Sequence, residues 1–330
     1  MAPWVATACS DDADESSEAG RGSLTYHLAW IKNVEFAGNY IADQHGYYRD
    51  EGFDRVEFIS GGPNVSQDAA IQAGKAFIGI SAPDITGPAI LAGADLVALG
   101  AQYQTNPFCI TSLTDDPIGA PAEMIGRRIG IQAVNESVFT AYLAANDIAP
   151  GQVEQVLVQT DPQPLVNGDV DGWLGWITVE PILLGTQGIE THDMMLADTN
   201  YPLVSEIVVV KRSTLRDQRD RVKAVLRADI RGWQDSIADP ALGARYAVDI
   251  YGKDLGLDVD EQTLESKAQN ELILTDDTRA NGLFTITDEL MDASIRSLHL
   301  GGIDISAERL FDTSALEEVY DESPELRSIG

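Results

Sequence analysis

The sequence predicts an α/β protein built from two lobes of related topology, each containing a mostly parallel sheet. Strand-like and helix-like segments alternate from residue 24 onward, and the alternation begins again near residue 124. Alternating strands and helices are typical of parallel sheets built from β–α–β units. Weak similarity between two segments supports two related halves. Both "QAGKAFIGIS" (72–81) and "VNGDVDGWLGW" (166–176) place a helix-ending glycine before an apolar strand.

The first half of the chain contains four predicted strands separated by three predicted helices. "LTYHLAW" (24–30) alternates apolar and polar residues, as a half-buried strand does. "FAGNYIADQHGYY" (36–48) carries apolar residues at helical spacing, and Gly46 can end that helix. "NVSQDAAIQAG" (64–74) predicts a helix that starts at a serine cap and ends at a glycine. The remaining elements are expected strands at 54–60, 76–81 and 95–103 and a short helix at 84–93.

The second half repeats this pattern before the chain becomes mainly helical. Expected strands lie within 124–132, 153–159, 170–177 and 204–217, and expected helices at 137–148, 162–168, 179–188 and 218–239. We expect the first lobe to comprise residues 23–112 and 205–330, and the second lobe residues 113–204. Two connections between the lobes would form a hinge, and the groove between them is the expected ligand site.

The composition excludes several classes of function. The 330 residues include 53 acidic and 22 basic side chains, which gives a formal net charge of −31. Such a surface repels phosphate backbones, so nucleic acid is not an expected partner. Two cysteines, Cys9 and Cys109, cannot form a disulfide framework, and four scattered histidines lack metal-binding spacing. We therefore expect a monomer without a metal or cofactor.

The N-terminal segment has the form of a lipoprotein signal remnant and tether. "ATAC" (6–9) places small residues before Cys9, which is the pattern of a lipid-attachment site, although Ala6 stands where a leucine is usual. The acidic, serine-rich residues that follow cannot bury apolar surface and would act as a leash up to residue 22. The alternative is an ordinary N-terminus with an incidental cysteine. The first interpretation predicts an extracytoplasmic protein anchored to the membrane through lipidated Cys9.

The motifs of common enzyme classes are missing from the sequence. It contains no G-x-S-x-G elbow, no G-x-x-x-x-G-K-[ST] phosphate loop and no H-E-x-x-H metal motif. Paired carboxylates carry no information in a chain this acidic. The sequence therefore favours a binding protein over an enzyme.

Candidate ligand contacts follow the predicted strands, because ligands of open α/β sheets lie beyond the carboxyl ends of the strands. Some of these side chains have an alternative structural role, such as a core tryptophan at Trp30 or a helix cap at Asp84 and Asn135. The polar and aromatic residues at these ends are Trp30, Asn33, Glu35, Ser81, Asp84, Gln102, Gln132, Asn135 and Glu136.

The stretch "GWLGWITVEP" (172–181) combines two tryptophans with a nearby carboxylate. Residues three apart on a strand face opposite sides, so one of Trp173 and Trp176 is expected to face the groove while the other lies in the core. Glu180 beside an aromatic ring suits an amino-substituted heterocycle, because the ring stacks while the carboxylate accepts N–H bonds.

The segment "LAWIKNVEFAGNYIADQHGYYRDEGFDRVEFISGG" (28–62) resembles the opening of the NMT1/THI5-like substrate-binding proteins. The resemblance continues through "IQAGKAFIGIS" and "QPLVNGDVDGWLGWITVEP" and covers most of residues 24–215. It implies a two-lobed periplasmic-binding-protein fold of type II, the Venus flytrap, with a hinge of two crossing segments. It also implies ligand contacts at Asn33 to Phe36, at Ser81 to Asp84 and at Glu180. Tyr40 and Gly62 of the opening segment are further expected contacts.

The resemblance implies a component that delivers a small molecule to an ABC permease in the membrane. A thiamine-precursor pyrimidine is the leading expected ligand, because Trp30 and the N-x-x-F-x-G loop look like those of pyrimidine and flavin binders. Riboflavin is an alternative, and a sulfonate or nitrate is another, although no arginine stands in the predicted loops to pair with an anion. A pyrimidine-synthesis enzyme that uses Cys109, and a sensor without transport, are the remaining alternatives.

Overall fold

The computed structural model describes residues 20–329, which contain ten strands in two separate five-stranded sheets. The strands are β1 (Gly22–His27), β2 (Phe53–Ile59), β3 (Ile78–Ser81), β4 (Leu96–Tyr103), β5 (Phe108–Leu113), β6 (Arg128–Ile131), β7 (Glu154–Leu157), β8 (Gly172–Trp176), β9 (Thr191–Met195) and β10 (Ser205–Lys211). The first sheet has the order β2-β1-β3-β10-β4 and the second the order β7-β6-β8-β5-β9. Each sheet forms the centre of one lobe.

Helices cover both sheets and make up most of the C-terminal third. They are α1 (Ala37–Gln44), α2 (Tyr47–Asp50), α3 (Gln67–Gln72), α4 (Pro83–Leu91), α5 (Glu136–Ala145), α6 (Gln163–Val166), α7 (Glu180–Thr186), α8 (Arg212–Asp217), α9 (Arg219–Ala238), α10 (Pro240–Tyr246), α11 (Val259–Ile273), α12 (Asp276–Asn281), α13 (Asp288–Leu300), α14 (Ala307–Leu310) and α15 (Ser314–Glu322). The helix expected at 36–48 is divided into α1 and α2 by Gly46, whose φ of 79° is left-handed.

One strand in each sheet runs against the others. β10 pairs antiparallel with both β3 and β4, and β5 pairs antiparallel with both β8 and β9. The remaining strands share one direction, so the expectation of mostly parallel sheets holds with this exception. An antiparallel strand starts at the sheet edge where its parallel neighbours end. The first residues of β5 and β10 therefore lie at the edge where ligands of α/β sheets bind.

The chain crosses between the sheets twice, after β4 and after β9. The first crossing ends at Phe108, where β5 enters the second sheet, five residues ahead of the boundary expected at residue 113. Strands β5 and β9 are not predicted by the sequence pattern. β5 is short and almost wholly buried, so it lacks the alternation of exposed and buried residues that marks a half-buried strand.

The core of the first lobe contains a buried carboxyl group held by hydroxyl and amide donors. Asp229 of α9 is fully buried and accepts hydrogen bonds from the hydroxyls of Tyr26 and Tyr48 and from Asn39 Nδ2. Burial raises the pKa of Asp229 to about 7, against the lowering effect of these donors. This cluster joins β1, α1, α2 and α9 inside the lobe.

The C-terminal helices contact both lobes. Leu283, Phe284 and Leu316 belong to the core of the first lobe, whereas Leu298 of α13 and Ile303 belong to a core shared with the second. The Ser297 hydroxyl also donates to the carbonyl of Pro202 in the second crossing segment. The helical C-terminus thus packs against both lobes and contacts the second crossing segment.

No helix within residues 20–329 has both the length and the apolar stretch that a membrane crossing needs. Cys9, the expected lipid-attachment residue, lies outside the described residues.

Candidate functional site

A cavity lies between the two sheets and is lined from both lobes. The space between its walls is about 570 Å³, a volume that includes the solvent-filled mouth. The lining residues are Ala29, Trp30, Glu35, Gln67, Ser81, Ala82, Ile85, Phe108, Gln132, Val134, Asn135, Gly175, Trp176, Val179, Glu180 and Glu206. Most of them come from the segments that follow β1, β3, β6 and β8 and from the starts of the reversed strands β5 and β10, and Gln67 comes from the start of α3.

Two loops meet across the edge of this cavity. The backbone N–H of Val134 in the second lobe donates to the carbonyl of Pro63 in the first lobe over 3.0 Å. Asn64 Nδ2 donates to Gln159 Oε1 over 3.3 Å nearby. The lobes are therefore closed on each other in this structure.

Each lobe contributes one tryptophan to the cavity wall. Trp30 follows β1 in the first lobe, and Trp176 ends β8 in the second. The ring of Trp176 packs edge-on against Tyr103 and Phe108, with ring centroids 5.7 Å apart in both cases. These neighbours fix the indole plane, so Trp176 offers a rigid apolar face to the cavity.

The carboxylate of Glu180 holds Trp176 and its neighbour in place. Its Oε2 accepts the backbone N–H of Trp176 at 2.8 Å, and its Oε1 accepts Trp173 Nε1 at 3.2 Å. Gly175 leaves room for this group, since a Cβ at that position would lie 2.2 Å from Glu180 Oε2. Both oxygens of Glu180 thus have partners within the protein, and its main role here is to position Trp176.

Trp173 faces away from the cavity, as the alternation along β8 requires. Its side chain is fully buried in a small core of the second lobe with Leu165, Val170 and Leu184. Of the two candidates in "GWLGW", Trp176 is therefore the one that lines the cavity.

Glu35 enters the cavity from a 3₁₀ turn, Val34–Phe36, that follows β1. Asn33 caps this turn by accepting the N–H of Glu35, and Gln102 Nε2 donates to the Glu35 carbonyl. Neither of these two expected contacts lines the cavity. They hold the backbone of Glu35, while its own Oε1 is buried without a hydrogen-bond partner.

Polar side chains near the two lobe surfaces are paired with one another. Gln67 Nε2 donates to the hydroxyl of Ser81 at 3.1 Å in the first lobe. Asn135 Nδ2 donates to Gln132 Oε1 at 3.0 Å in the second lobe. The free Oε1 of Gln67 remains buried without a partner, so it is available to a ligand donor.

Five other expected contacts lie away from the cavity lining. Phe36 and Tyr40 are buried in the first lobe, where Tyr40 stacks on Tyr251. Asp84 accepts the hydroxyl of Tyr201 inside the protein. Glu136 lines a separate surface depression beside α5, and Gly62 belongs to the loop that meets the second lobe.

Glu206 is the most consequential cavity residue that sequence reasoning missed. It is the second residue of β10 and is 1% exposed, with a left-handed φ of 49° that non-glycine residues rarely adopt. Its Oε2 is buried without a partner. A lone acidic residue inside the apolar run "VSEIVVV" is the sequence signal that could have pointed to it.

The titratable side chains that line the cavity in the described chain are all glutamates. Glu35, Glu180 and Glu206 line it, and no lysine, arginine or histidine is among the lining residues of the described chain. Burial raises the pKa of Glu180 to about 7, and burial together with neighbouring carboxylates raises the pKa of Glu35 well above its usual range. A site of this kind suits a neutral or cationic ligand rich in N–H donors and disfavours an anion.

The family described as NMT1/THI5 like matches residues 33–242. The chain belongs to this family. The assignment confirms the resemblance carried by the opening segment.

Proteins similar to this NMT1/THI5-like chain include one that is named as a riboflavin-binding protein. The chain is 27% identical over 226 residues to the riboflavin-binding protein RibY of Chloroflexus aurantiacus, a match that covers 66% of the chain and 63% of RibY. A solved protein of Bordetella bronchiseptica RB50 is 16% identical with a TM-score of 0.69, covering 92% of this chain and 98% of that one. The alkanesulfonate-binding protein SsuA of Xanthomonas axonopodis pv. citri is 15% identical with a TM-score of 0.62, covering 90% and 98%. The structural matches confirm the two-lobed periplasmic-binding-protein fold.

Cys109 of this NMT1/THI5-like chain is unsuited to nucleophilic chemistry. It lies within β5, is fully buried and is absent from the cavity lining. Burial raises the pKa of its thiol well above the usual range, which keeps the sulfur protonated. The alternative of an enzyme acting through Cys109 has no support from this geometry.

Proposed function

We propose that the protein is the extracytoplasmic solute-binding component of an ABC importer and that its ligand is a flat, uncharged nitrogen heterocycle of flavin size. The observation that carries this proposal is the cavity itself, in which Trp30 and Trp176 offer aromatic faces and the titratable groups among the described lining residues are all carboxyls. A ring between the two indoles gains stacking, while buried carboxyl oxygens accept its N–H groups.

The same cavity argues against an anionic ligand. Sulfonates and nitrate need positive or N–H donor groups, and the described lining residues include no lysine, arginine or histidine side chain. The protein similar in sequence is named as a riboflavin binder, which favours a flavin. A thiamine-precursor pyrimidine is the second candidate, because the unpartnered oxygens of Glu35 and Gln67 suit the donors of an amino-substituted ring.

Closure of the lobes would trap the ligand and create the form that a permease recognises. The contacts of Val134 with Pro63 and of Asn64 with Gln159 join the lobes at the cavity edge. A ligand that touches both Trp30 and Trp176 binds the closed form better than the open one and therefore shifts the population toward it. We propose the crossing segments after β4 and β9 as the hinge.

The cellular setting follows from this role. We propose that a lipid on Cys9 anchors the protein outside the membrane and that residues 10–19 act as the leash, since β1 already begins at Gly22. A membrane permease is the proposed partner, and the protein is proposed to act as a monomer. Loss of lipid labelling on replacing Cys9 by serine in cells would test the anchor.

Titration with riboflavin is expected to quench the tryptophan fluorescence, because the flavin would stack on Trp176 and Trp30. We expect saturable quenching and a raised thermal midpoint, since a ligand bound only by the folded state stabilises it. 4-Amino-5-hydroxymethyl-2-methylpyrimidine and taurine are the comparison ligands. Binding of taurine, with no response to either heterocycle, would overturn the proposed function.

Replacing Trp176 by leucine is expected to weaken binding of the heterocycle by about fivefold or more, because stacking on an aromatic face contributes on the order of 1 kcal/mol beyond buried area. Trp30→Leu is expected to have a similar effect from the other lobe. Trp233→Leu is a poor control because that residue is buried in the core, so Leu157→Ala, which changes an exposed side chain of the second lobe outside the cavity lining, serves instead. If the Trp176 variant and the wild type bound the ligand with equal affinity, the ligand would not stack on Trp176.

A further inference from the structure

Two buried carboxyl groups, Glu35 and Glu206, line the same cavity from separate elements. Glu35 comes from the turn after β1 and Glu206 from the start of β10, and each carboxyl group shifts the pKa of the other. They are 4% and 1% exposed. A hydrogen bond between two carboxyl groups requires a proton on one of them, since carboxylate oxygens only accept.

Each carboxyl group still has an oxygen that no protein group satisfies. Glu35 Oε1 and Glu206 Oε2 are both buried and lack partners, although both residues line the cavity. An unsatisfied buried oxygen costs free energy unless a ligand completes it. The left-handed backbone at Glu206 adds a local conformational cost, and strain of this kind is concentrated at functional sites.

The surroundings disfavour the simultaneous ionisation of both groups. The titratable groups that act on the pair from the adjoining elements are all acidic or phenolic, and they are Tyr26, Tyr40, Tyr103, Glu180 and Glu265. No cation lines the cavity within the described chain. Two adjacent carboxyl groups in such a site behave as one unit that retains a proton when isolated carboxyls have lost theirs.

We propose that Glu35 and Glu206 form a proton-sharing pair that recognises the ligand, presenting one O–H donor and acceptor oxygens to a carbonyl- and N–H-bearing edge of a neutral heterocycle. This inference deepens the proposed function and rests on it. The shared proton lets an all-acidic cavity donate a hydrogen bond, which ionised glutamates cannot do. The ligand class is therefore a heterocycle with both an acceptor and a donor on one edge, as in the pyrimidine ring of a flavin.

The pair makes ligand binding depend on pH in a defined direction. Below the pH at which the pair loses its shared proton, the pair carries its O–H donor and its affinity for the ligand does not change with pH. Above it, binding requires uptake of one proton from solvent, so affinity falls about tenfold per pH unit. A ligand with a cationic group would behave in the opposite way, because it would favour the doubly ionised pair.

The test is the dissociation constant of riboflavin measured from about pH 5 to pH 9, a range in which the flavin itself keeps one charge state. Wild type is expected to lose affinity toward alkaline pH, and calorimetry in two buffers of different ionisation heat should show uptake of one proton there. Glu206→Gln is expected to retain its affinity at alkaline pH, because the amide supplies a donor that does not titrate. Glu190→Gln, which changes an exposed glutamate outside the cavity lining, should keep the wild-type pH dependence.

The possible results separate the proton-sharing pair from the proposed function. Riboflavin binding that is independent of pH, or that strengthens with rising pH, overturns the pair and leaves the proposed function standing. The pair is also overturned if Glu206→Gln loses affinity with the wild-type slope. Absence of binding by riboflavin and by the aminopyrimidine at every pH overturns the proposed function and this inference with it. The proton uptake measured by calorimetry on the wild-type protein needs no variant. The proton-sharing pair can therefore still be tested if Glu206→Gln folds poorly.

Discussion

Replacing Glu180 by alanine is expected to lower the free energy of unfolding by about 3 to 5 kcal/mol. The change leaves two buried donors, the backbone N–H of Trp176 and the indole N–H of Trp173, without their acceptor. It also opens a void beneath Gly175, where the carboxylate now fits against the backbone. Urea unfolding, followed by tryptophan fluorescence, measures the loss.

The same substitution should weaken ligand binding, because Trp176 loses the contact that fixes its backbone. We expect at least a tenfold rise in the dissociation constant at a temperature where the variant is still folded. Glu180→Gln keeps one acceptor and should fall between wild type and Glu180→Ala in stability. Glu190→Ala removes an exposed glutamate of the same lobe and should change stability by less than about 0.5 kcal/mol. If Glu180→Ala matched Glu190→Ala, the positioning role of Glu180 would be wrong.

Much of the cavity could be predicted from sequence because its residues follow strands. Trp30, Ser81 and Gln132 stand at or just beyond the ends of parallel strands, and the geometry of such sheets brings those ends to one edge. The two-residue period of a strand predicts that Trp173 and Trp176 face opposite sides, but it does not say which of them faces the cavity. That choice depends on which face of the sheet packs against the core, which the structure shows.

The residues that sequence reasoning missed depend on long-range geometry. Glu206 and Phe108 lie at the starts of the two reversed strands, and nothing in a strand's own pattern states its direction relative to its neighbours. The left-handed backbone of Glu206 is likewise set by the surrounding sheet, since glutamate has no preference for it. The sequence predicts that Glu180 belongs to the site, but not that its hydrogen bonds go to Trp173 and Trp176. A carboxylate beside an aromatic ring can equally well contact a ligand or hold the protein's own backbone.

The folded protein is expected to become less stable as the pH rises from about 5 to 8, which is the reverse of the usual behaviour of salt-bridged carboxylates. Asp229 and Glu180 have a pKa raised to about 7, and Asp68 and Asp84 have a pKa raised to about 6, in each case mainly by burial. The folded state keeps these protons when the unfolded chain has lost them, so their contribution is full at low pH and is lost as the pH passes the folded-state pKa. Each group changes the free energy of unfolding by up to about 1.4 kcal/mol per pH unit.

Two opposing effects limit this trend. Arginine partners lower the pKa of exposed Asp116 and Asp217, so their small contribution disappears in acid, and burial lowers the pKa of His27, which favours the folded state as the pH rises. We therefore expect a stability maximum near pH 5 in urea unfolding. Asp229→Asn should be less stable overall but should lose about 1 kcal/mol per pH unit less than wild type between pH 5 and 7, because one titrating group is gone. A wild-type stability that rises from pH 5 to pH 8 would show that these buried carboxyls ionise without cost.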